Sequence, residues 1–562
     1  MTQQEELAAL RSLVEGQKRE LEEKDRIIKG KDAQIGQQDE RIARQDERIR
    51  QLDIQIENMI QALLHARKKI FGPSTEAKGQ IEGQLSLFES VQELAKDLGL
   101  EQKKITARPY TRTPRQPGVR AEMLSSLPQE IEEYIIPPDD RCSVCGGELR
   151  AIGREVVRTE VEYIPAKLKV KQIIRQVAKC RTCGATDGRG RPCHFQKAAV
   201  PVPPLPHSIS SPSLIAQVMY QKYALGLPLA RQEKDWYRLG LILPRNDMAN
   251  WVIRCSQEWL EPVYWRIREL LTGCGVLHMD ETRIQCNKEE GKKAHSQSFM
   301  WVIRSAASED IQATFFYYDR GRNGEVAAGL LKGFHGYLVT DAYEGYEKVE
   351  GVRRSLCWAH VRRYLIDSIP LDSSGKEMPG SKGAEGREYI RLLSKVEERI
   401  KDLPYEEKAK KRQEASRPIL DAFWSWVEKT SALSTTNVLL AKALNYASNQ
   451  RGYLETFMED GRLPLTNNLC ESHIRPFATA RRAWLFADTP KGAKASAVLY
   501  TLVESAKANG LDVYGYLKYL LTEMPNNRHP EHPEAIDRCL PWSAELPEEC
   551  RLKHRDKKCL KR

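Results

Sequence analysis

The stretch "GVLHMDETRIQC", Gly275–Cys286, decides the fold. Its first half is β-prone and ends on an acid, Asp280, where the apolar run stops. Two more β-prone runs follow at meander spacing, "SFMWVIRSA" (Ser298–Ala306) and "ATFFYYD" (Ala313–Asp319). Then come a helical stretch, "NGEVAAGLLKGF" (Asn323–Phe334), and a further strand, "GYLVTDAYEGY" (Gly336–Tyr346). That strand also ends its apolar run on an acid, Asp341. One acid at a strand end is ordinarily a turn or a cap; two on neighbouring strands point to a shared site. Adjacent side chains on a strand face opposite ways, so Asp280 and Glu281 cannot both enter it, and Asp280 is the one expected there.

Paired aspartates suit magnesium. It takes hard oxygen ligands and few protein carboxylates, leaving the rest to water and phosphate. Two such ions about 3.5 to 4 Å apart serve phosphoryl transfer, activating a nucleophile and stabilising the leaving oxygen. The third acid is expected from "LPLTNNLCESHIRPFATARRAWLF" (Leu463–Phe486), where Glu471 is the single carboxylate and His473, Arg475, Arg481 and Arg482 follow it. Arg475, Arg481 and Arg482 are candidates for phosphate contacts, which position DNA without reading its sequence. Asn467 or Asn468 is expected to cap the helix that presents Glu471, and Asn468 is an alternative neighbour of the metal's water shell. Pro476 lies five residues past Glu471, so that helix is expected to be short or bent. Residues 387–449 are mostly helix-forming and read as an all-α insertion. Before them, "CWAHVRRY" begins a helix after the strand "RRSLC". Its His360, Arg362 and Arg363 are candidates for DNA phosphate or the scissile site; core packing of Cys357 and Trp358, with His360 capping or packed, is the plain alternative.

Upstream, Leu7, Val14, Leu21, Ile28, Ile35, Ile42, Ile49, Ile56 and Leu63 repeat every seven residues with no proline between them. The companion seam position, three residues on, reads Leu10, Gln17, Lys24, Lys31, Gln38, Gln45, Leu52, Met59. One half of the seam is apolar, and the middle of the other half is polar. The pattern predicts a coiled coil that is weak in its middle and register-specific. A lone charged helix is the alternative. The helix is expected to stop at "FGPS", where Gly72 and Pro73 follow. Residues 78–120 read as a linker; its Lys103–Arg120 part has six basic residues, no acid and three prolines.

"CSVCGG" (Cys142, Cys145) and "CRTCG" (Cys180, Cys183) are paired C-x-x-C-G turns, each aiming two thiolates at one Zn2+ ion. The alternating residues between them predict two or three strands, hence a zinc ribbon that contacts DNA or acts as a scaffold. Cys193 and His194 are the substitute ligands. After the proline-rich "VPVPPLPH", residues 208–271 read as short helices. "GLILPRNDMANWV" fits the second half of a helix-turn-helix, with Asn246 or Asp247 as cap, and equally a plain helical core.

A chain of 562 residues exceeds one core. Its 88 basic and 77 acidic residues leave a net charge of +11, which permits nucleic-acid binding without establishing it. The start, "MTQQEELAALRS", does not read as a secretory signal, and no apolar run reaches membrane-spanning length. Thirteen cysteines are therefore expected to be reduced, as in a cytoplasm.

The order of "KKIFGPSTE", the paired C-x-x-C turns, "HMDET", "VTDAYEGY", "CWAHVRRYL" and "NNLCESHIRPFATARRAWLF" strongly resembles the transposases of the insertion sequence 66 family. The likeness runs from about residue 50 to the "LPW" at Leu540–Trp542. It implies a ribonuclease-H-like core whose Asp-Asp-Glu triad is Asp280, Asp341 and Glu471, with Mg2+ or Mn2+ as the pair of ions. It also implies small companion proteins from the same element. The family more often has an aspartate where Thr466 stands and an arginine where Ser472 stands; neither position is a proposed ligand.

The expected fold is multidomain α/β with α additions. It comprises a coiled-coil helix (1–71), a linker (72–127), a zinc ribbon (128–200) and a helical, DNA-binding candidate domain (201–271). The core is split into 272–370 and 461–524 around the all-α insertion (371–460), and a tail (525–562) follows. The expected function is DNA transposition: binding of element ends in double-stranded DNA, metal-dependent cleavage and strand transfer. A homo-oligomer held by the coiled coil is expected, and no membrane association. The alternatives are a catalytically inactive DNA-binding or assembly descendant and a nuclease that cleaves without joining.

Overall fold

The structure is a computed structural model. It describes residues 3–71, 89–100, 130–526 and 533–552, except 136, 138, 142, 146, 150–153, 157, 158, 160, 162–165, 180–185, 187, 188, 191–194 and 434. The linker at 72–88 and 101–127, the ligand candidates Cys142, Cys180 and Cys183, the substitutes Cys193 and His194, and the tail from 553 onward lie outside the described residues. The chain forms two compact units, one of residues 1–104 with 358–454 and the other of 105–357 with 455–562.

In the first unit α1 (Gln3–Phe71) is one unbroken helix, ending where Gly72 follows. After it come α2 (Glu89–Asp97) and a helical group: α3 (Trp358–Asp367), α4 (Lys382–Ile400), α5 (Arg417–Ser431) and α6 (Val438–Asn449). Among the described residues of the insertion the regular elements are helices, beside one antiparallel bridge from Leu371 to Glu377. The core of the insertion is aromatic: Phe423 stacks on Trp426 at 5.7 Å and meets Trp358 edge-on at 5.4 Å.

The second unit holds a five-stranded mixed sheet. The strands are β1 (Val276–Gln285), β2 (Gln297–Ser305), β3 (Thr314–Asp319), β4 (Tyr337–Thr340) and β5 (Arg353–Leu356), in the spatial order β3-β2-β1-β4-β5. The meander β1-β2-β3 is antiparallel, while β4 runs parallel to β1 and β5 parallel to β4. From Met300 to Ser305 every residue of β2 is buried, on both faces. Such a run marks a strand covered on two sides, which explains why its sequence is apolar rather than alternating. The cover includes α7 (Asn468–Trp484) on β1 and β2, and α8 (Pro490–Ala508) on β3. The edge strand β3 is closed by hydroxyls of α8: Phe316 N–H donates to Thr501 Oγ1 at 2.8 Å, and Thr314 N–H to Ser505 Oγ at 3.0 Å. Edge backbone groups satisfied this way cannot recruit another strand.

Two local expectations are corrected, and a third, a short or bent α7, is narrowed. In the stretch between the cysteine pairs, the described residues contain one strand, Val177–Lys179, and its antiparallel partner is Phe195–Lys197, beyond the second pair. Val156, Val170 and Ile174 are more than four-fifths exposed; alternation makes a strand only where something covers the apolar face. The helix Arg245–Cys255 is capped by neither Asn246 nor Asp247. Pro244 is its N-cap, and a carboxylate of the preceding helix serves the first N–H: Arg245 N–H donates to Glu233 Oε1 at 3.1 Å. Lastly, α7 is not short. It continues eight residues past Pro476. The carbonyl that proline leaves unpaired belongs to Ser472, which is exposed, so water can satisfy it.

Candidate active site

The parallel register of β1 and β4 pairs Val276 with Tyr337 and runs to His278 with Val339. Asp280 and Asp341 each lie two residues past that last pair, at matching positions on neighbouring strands. Both are half-buried. Burial, then the carboxylate of Glu281, then those of Asp341 and Glu471 push the Asp280 carboxyl up to about 8; the Glu281 N–H it accepts from, at 2.8 Å, acts the other way. Both Asp341 and Glu471 are thus near enough for their charges to reach Asp280. The three acids read from the sequence therefore share one neighbourhood.

Glu471 arrives there because α7 buries Cys470, Ile474, Phe477 and Ala480, a stripe at helical spacing that faces the sheet. Glu471, Arg475 and Arg482 fall on the adjoining face, four and seven residues apart. The start of α7 is tied to β1 by Asn467, which is fully buried. Asn467 sits at the N-cap but makes no side-chain cap bond. Its Oδ1 lies 2.7 Å from His278 Nδ1, and its Nδ2 donates to Met279 O at 3.2 Å. Since the amide nitrogen is the donor to Met279, its oxygen accepts from His278, whose Nδ1 carries the proton. Burial lowers the His278 pKa to about 4, so the ring is neutral. The expected cap is thus a cross-link between helix and strand, set one and two residues before Asp280. Asn468 is exposed in the first turn.

Glu281 follows Asp280 on the opposite face of the strand, but its charge still acts on Asp280 and it has partners of its own. Its carboxylate accepts from Tyr346 OH at 2.6 Å and Arg322 Nε at 2.5 Å. The Arg322 guanidinium stacks 3.9 Å above the Tyr343 ring and stands 3.9 Å from the Asp341 carboxylate. Burial raises the Glu281 pKa, against those two hydrogen bonds. The turn bearing Tyr343 and Tyr346 packs tightly on the loop after β3. A Cβ on Gly324 would collide with Gly345 O. Arg322 and Tyr346 had no signal in the sequence, because their partner is across the sheet.

The basic candidates divide. Arg475 and Arg482 are exposed on α7 and Arg481 is half-buried. Burial, Arg482 and Arg283 lower the Arg481 pKa, which adds Arg283 of β1 to the cluster. Among the described residues, none of these four arginines has a carboxylate partner. "DETR" carried that signal, since Arg283 follows Asp280 by three. His360, Arg362 and Arg363 lie on α3 in the other unit; His360 and Arg362 are half-buried and Arg363 is exposed. Of the cysteine pairs, Cys145 is exposed and outside any disulfide. A Cβ on Gly147 would lie 3.5 Å from its Sγ, and an antiparallel bridge from Arg141 to Glu148 closes the turn around the thiol. That turn fits the first half of a zinc site.

The family model for the IS66 transposases matches residues 207–495, which include both aspartate strands and the glutamate helix. The chain belongs to the IS66 transposase family. Three further models match: the zinc-finger binding domain of transposase IS66 at 139–184, the IS66 C-terminal element at 501–542, and one described as transposase C of IS166 homeodomain at 60–131. This transposase is 27% identical over 429 residues to the uncharacterized protein y4hP of Sinorhizobium fredii, covering 74% of this chain and 75% of that one. It is 26% identical over 442 residues to y4jD of the same organism, covering 75% and 82%. Among solved structures, the strand transfer complex of the Drosophila P element transposase aligns with 57% of this chain and 83% of that one, at 14% identity and a TM-score of 0.20. Among the described residues, no helix is long and apolar enough to cross a membrane.

Proposed function

We propose that this DNA transposase cuts and joins DNA at a site whose ligands are Asp280, Asp341 and Glu471. The observation that carries the reading is the convergence: two aspartates at matched strand positions, and a helix glutamate that adds its charge to one of them. Buried carboxylates that repel one another call for cations, and three hard oxygen donors beside open surface suit Mg2+ or Mn2+. A pair of these ions supplies an activated water and neutralises the leaving oxygen. The chain's own groups do the rest. Asn467 fixes Glu471 relative to Asp280. Arg475, Arg481, Arg482 and Arg283 hold the phosphates of the strand being cut. Hydrolysis at the element's end frees a 3′ hydroxyl, which then attacks a target phosphodiester and displaces its 3′ oxygen. A meander followed by two strands parallel to its first member supports reading the core as ribonuclease-H-like. Cys142, Cys145, Cys180 and Cys183 are proposed to bind one structural zinc, and α1 to mediate self-association.

The test is strand transfer on terminal-repeat DNA with magnesium. Asp280→Asn, Asp341→Asn and Glu471→Gln are each expected to lose activity by on the order of a hundredfold or more while end binding persists. Full strand transfer in any one of them overturns the assignment. Nicks without joined products in the parent chain indicate a nuclease instead.

A further inference from the structure

We infer that α1 pairs with a second copy of this chain as a parallel, in-register, two-stranded coiled coil, using the face opposite the one that holds the helical insertion. The inference rests on the reading of α1 as a self-associating helix and names its partner, orientation and register.

The insertion grips α1 by one side. The part-buried or buried residues of its last turns are Ile54, Asn58, Gln61, Leu64 and His65. Asn58 Nδ2 donates to Thr436 O at 3.0 Å and Gln61 Nε2 to Leu371 O at 3.2 Å. Leu371 N–H returns a bond to Gln61 Oε1 at 2.8 Å, and His65 Nε2 reaches Ile369 O at 3.0 Å. With Leu7 as position a, these residues fall at b, c and f, the back of a coiled coil. The seam and its flanks stay open. From Val14 to Leu63 the eight a-position side chains are each half or more exposed. A stripe of eight apolar side chains at seven-residue spacing is the mark of a helix that buries its seam against another helix.

Charge decides the occupant and its direction. Between residues 20 and 53 the e positions read Asp25, Asp32, Asp39, Asp46 and Asp53, and the g positions Glu20, Ile27, Gln34, Arg41 and Arg48; nearer the N-terminus the e positions are Arg11 and Lys18. In an antiparallel pair e faces e, so aspartate would face aspartate along the seam. In a parallel pair each g faces the e five residues further on in the second copy. That sets Arg41 against Asp46 and Arg48 against Asp53, twice over by symmetry; Glu20 against Asp25 is the one adverse pair. Within a single chain, Arg44 pairs with Glu40 and Arg50 with Glu47, but Arg41, Arg48, Asp46 and Asp53 have no ion-pair partner among the described residues. The layers divide. Parallel pairing stacks isoleucine on isoleucine at a, and Gln38 and Gln45 on their own kind at d, but it also sets Lys24 and Lys31 each against its own copy. Antiparallel pairing would set isoleucines against Lys24, Lys31 and glutamines. A slip of one heptad would place Leu52 on Gln45, so the register is the unshifted one.

The experiment is sedimentation of the full chain without DNA. Arg41→Asp with Arg48→Asp, and separately Asp46→Arg with Asp53→Arg, are each expected to raise the dimer dissociation constant on the order of tenfold or more. An equimolar mixture of the two variants is expected to restore it, as heterodimers. Tighter association of the Asp46→Arg/Asp53→Arg variant alone indicates antiparallel pairing and overturns the inference, as does a monomeric parent chain. As a second measurement, Ile42→Cys is expected to give a disulfide-linked peptide joining residue 42 to residue 42; a link from 42 only to other cysteines overturns the register. None of these readouts depends on Asp280, Asp341 or Glu471, so a failed triad assignment and a failed dimer are told apart.

Discussion

Two acidic regions of this transposase hold their charge in opposite ways. Midway along β1 and just past the end of β4, Asp280, Glu281, Asp341 and Glu471 are gathered into one half-buried neighbourhood by the fold, and Glu281 alone of them accepts from both a tyrosine and an arginine side chain. Along α1, Asp25, Asp32, Asp39, Asp46 and Asp53 are spread at heptad spacing in open water. The first arrangement costs free energy until cations arrive, because desolvated like charges repel. The second costs nothing in one chain and acquires partners only in a second copy. Substitutions in the first region thus act at any protein concentration, and those in the second act through mass action.

The largest effect expected is a separation of activity from stability at Asp280. Asp280→Asn removes a ligand and also removes a carboxyl that burial and its acidic neighbours hold at a pKa of about 8, so that in the folded chain without metal it must take up a proton near neutral pH. In EDTA the variant is expected to melt a few degrees above the parent, on the order of 1 kcal/mol or more, although its strand transfer is lost. Adding magnesium is expected to narrow or reverse that order, since only the parent gains by binding the ion. A parent that melts higher in EDTA would show that the carboxylates are not in repulsion.

Asn467→Ala comes next. It strips His278 Nδ1–H and Met279 O of their partner inside the core, and two buried groups left unmade cost about 2 to 4 kcal/mol together. The melting temperature is expected to fall equally at high and low protein concentration. Strand transfer is expected to fall with it, because Glu471 is then positioned by packing alone. An unchanged melting curve would mean that the clamp is idle. Zinc gives a third test, at the cysteine pairs: metal analysis of the full chain is expected to find about one zinc per chain, reduced by Cys145→Ser.

Much of this was legible in the sequence, because it was written in short-range periodicity. The meander Gly275–Asp319 and the strand ending at Thr340 are local patterns that became the strands they predict, and the nine-fold heptad lies in one unbroken helix. What was not legible depends on partners far along the chain. Asn467 looks like a cap because asparagine before a helix ordinarily is one; only the approach of His278 and Met279 turns its amide aside. Pro476 looks like a breaker because the sequence does not show that Ser472 faces water. Arg322 and Tyr346 carry no motif, since their role is to occupy Glu281. The valines and isoleucines between the cysteine pairs alternate as a strand would, yet no described element covers them.

The smallest effect lies within α1 itself, between its two faces. Gln61→Ala removes two hydrogen bonds to Leu371 on the docked side, a loss of about 1 to 2 kcal/mol from part-exposed groups. It touches no seam position. The melting of the helical insertion is expected to drop slightly, by the same amount at every protein concentration, and the sedimentation coefficient to stay as it was. Ile42→Gln is the mirror case. Its side chain is 53% exposed in the single chain, so the dilute protein is expected to melt much as the parent does. Only at concentrations where the parent is dimeric does the variant fall behind, as the glutamine displaces an isoleucine layer. If Ile42→Gln instead lowered stability at all dilutions, the exposed stripe would be buried within one chain, and the contrast between the two acidic regions would fail.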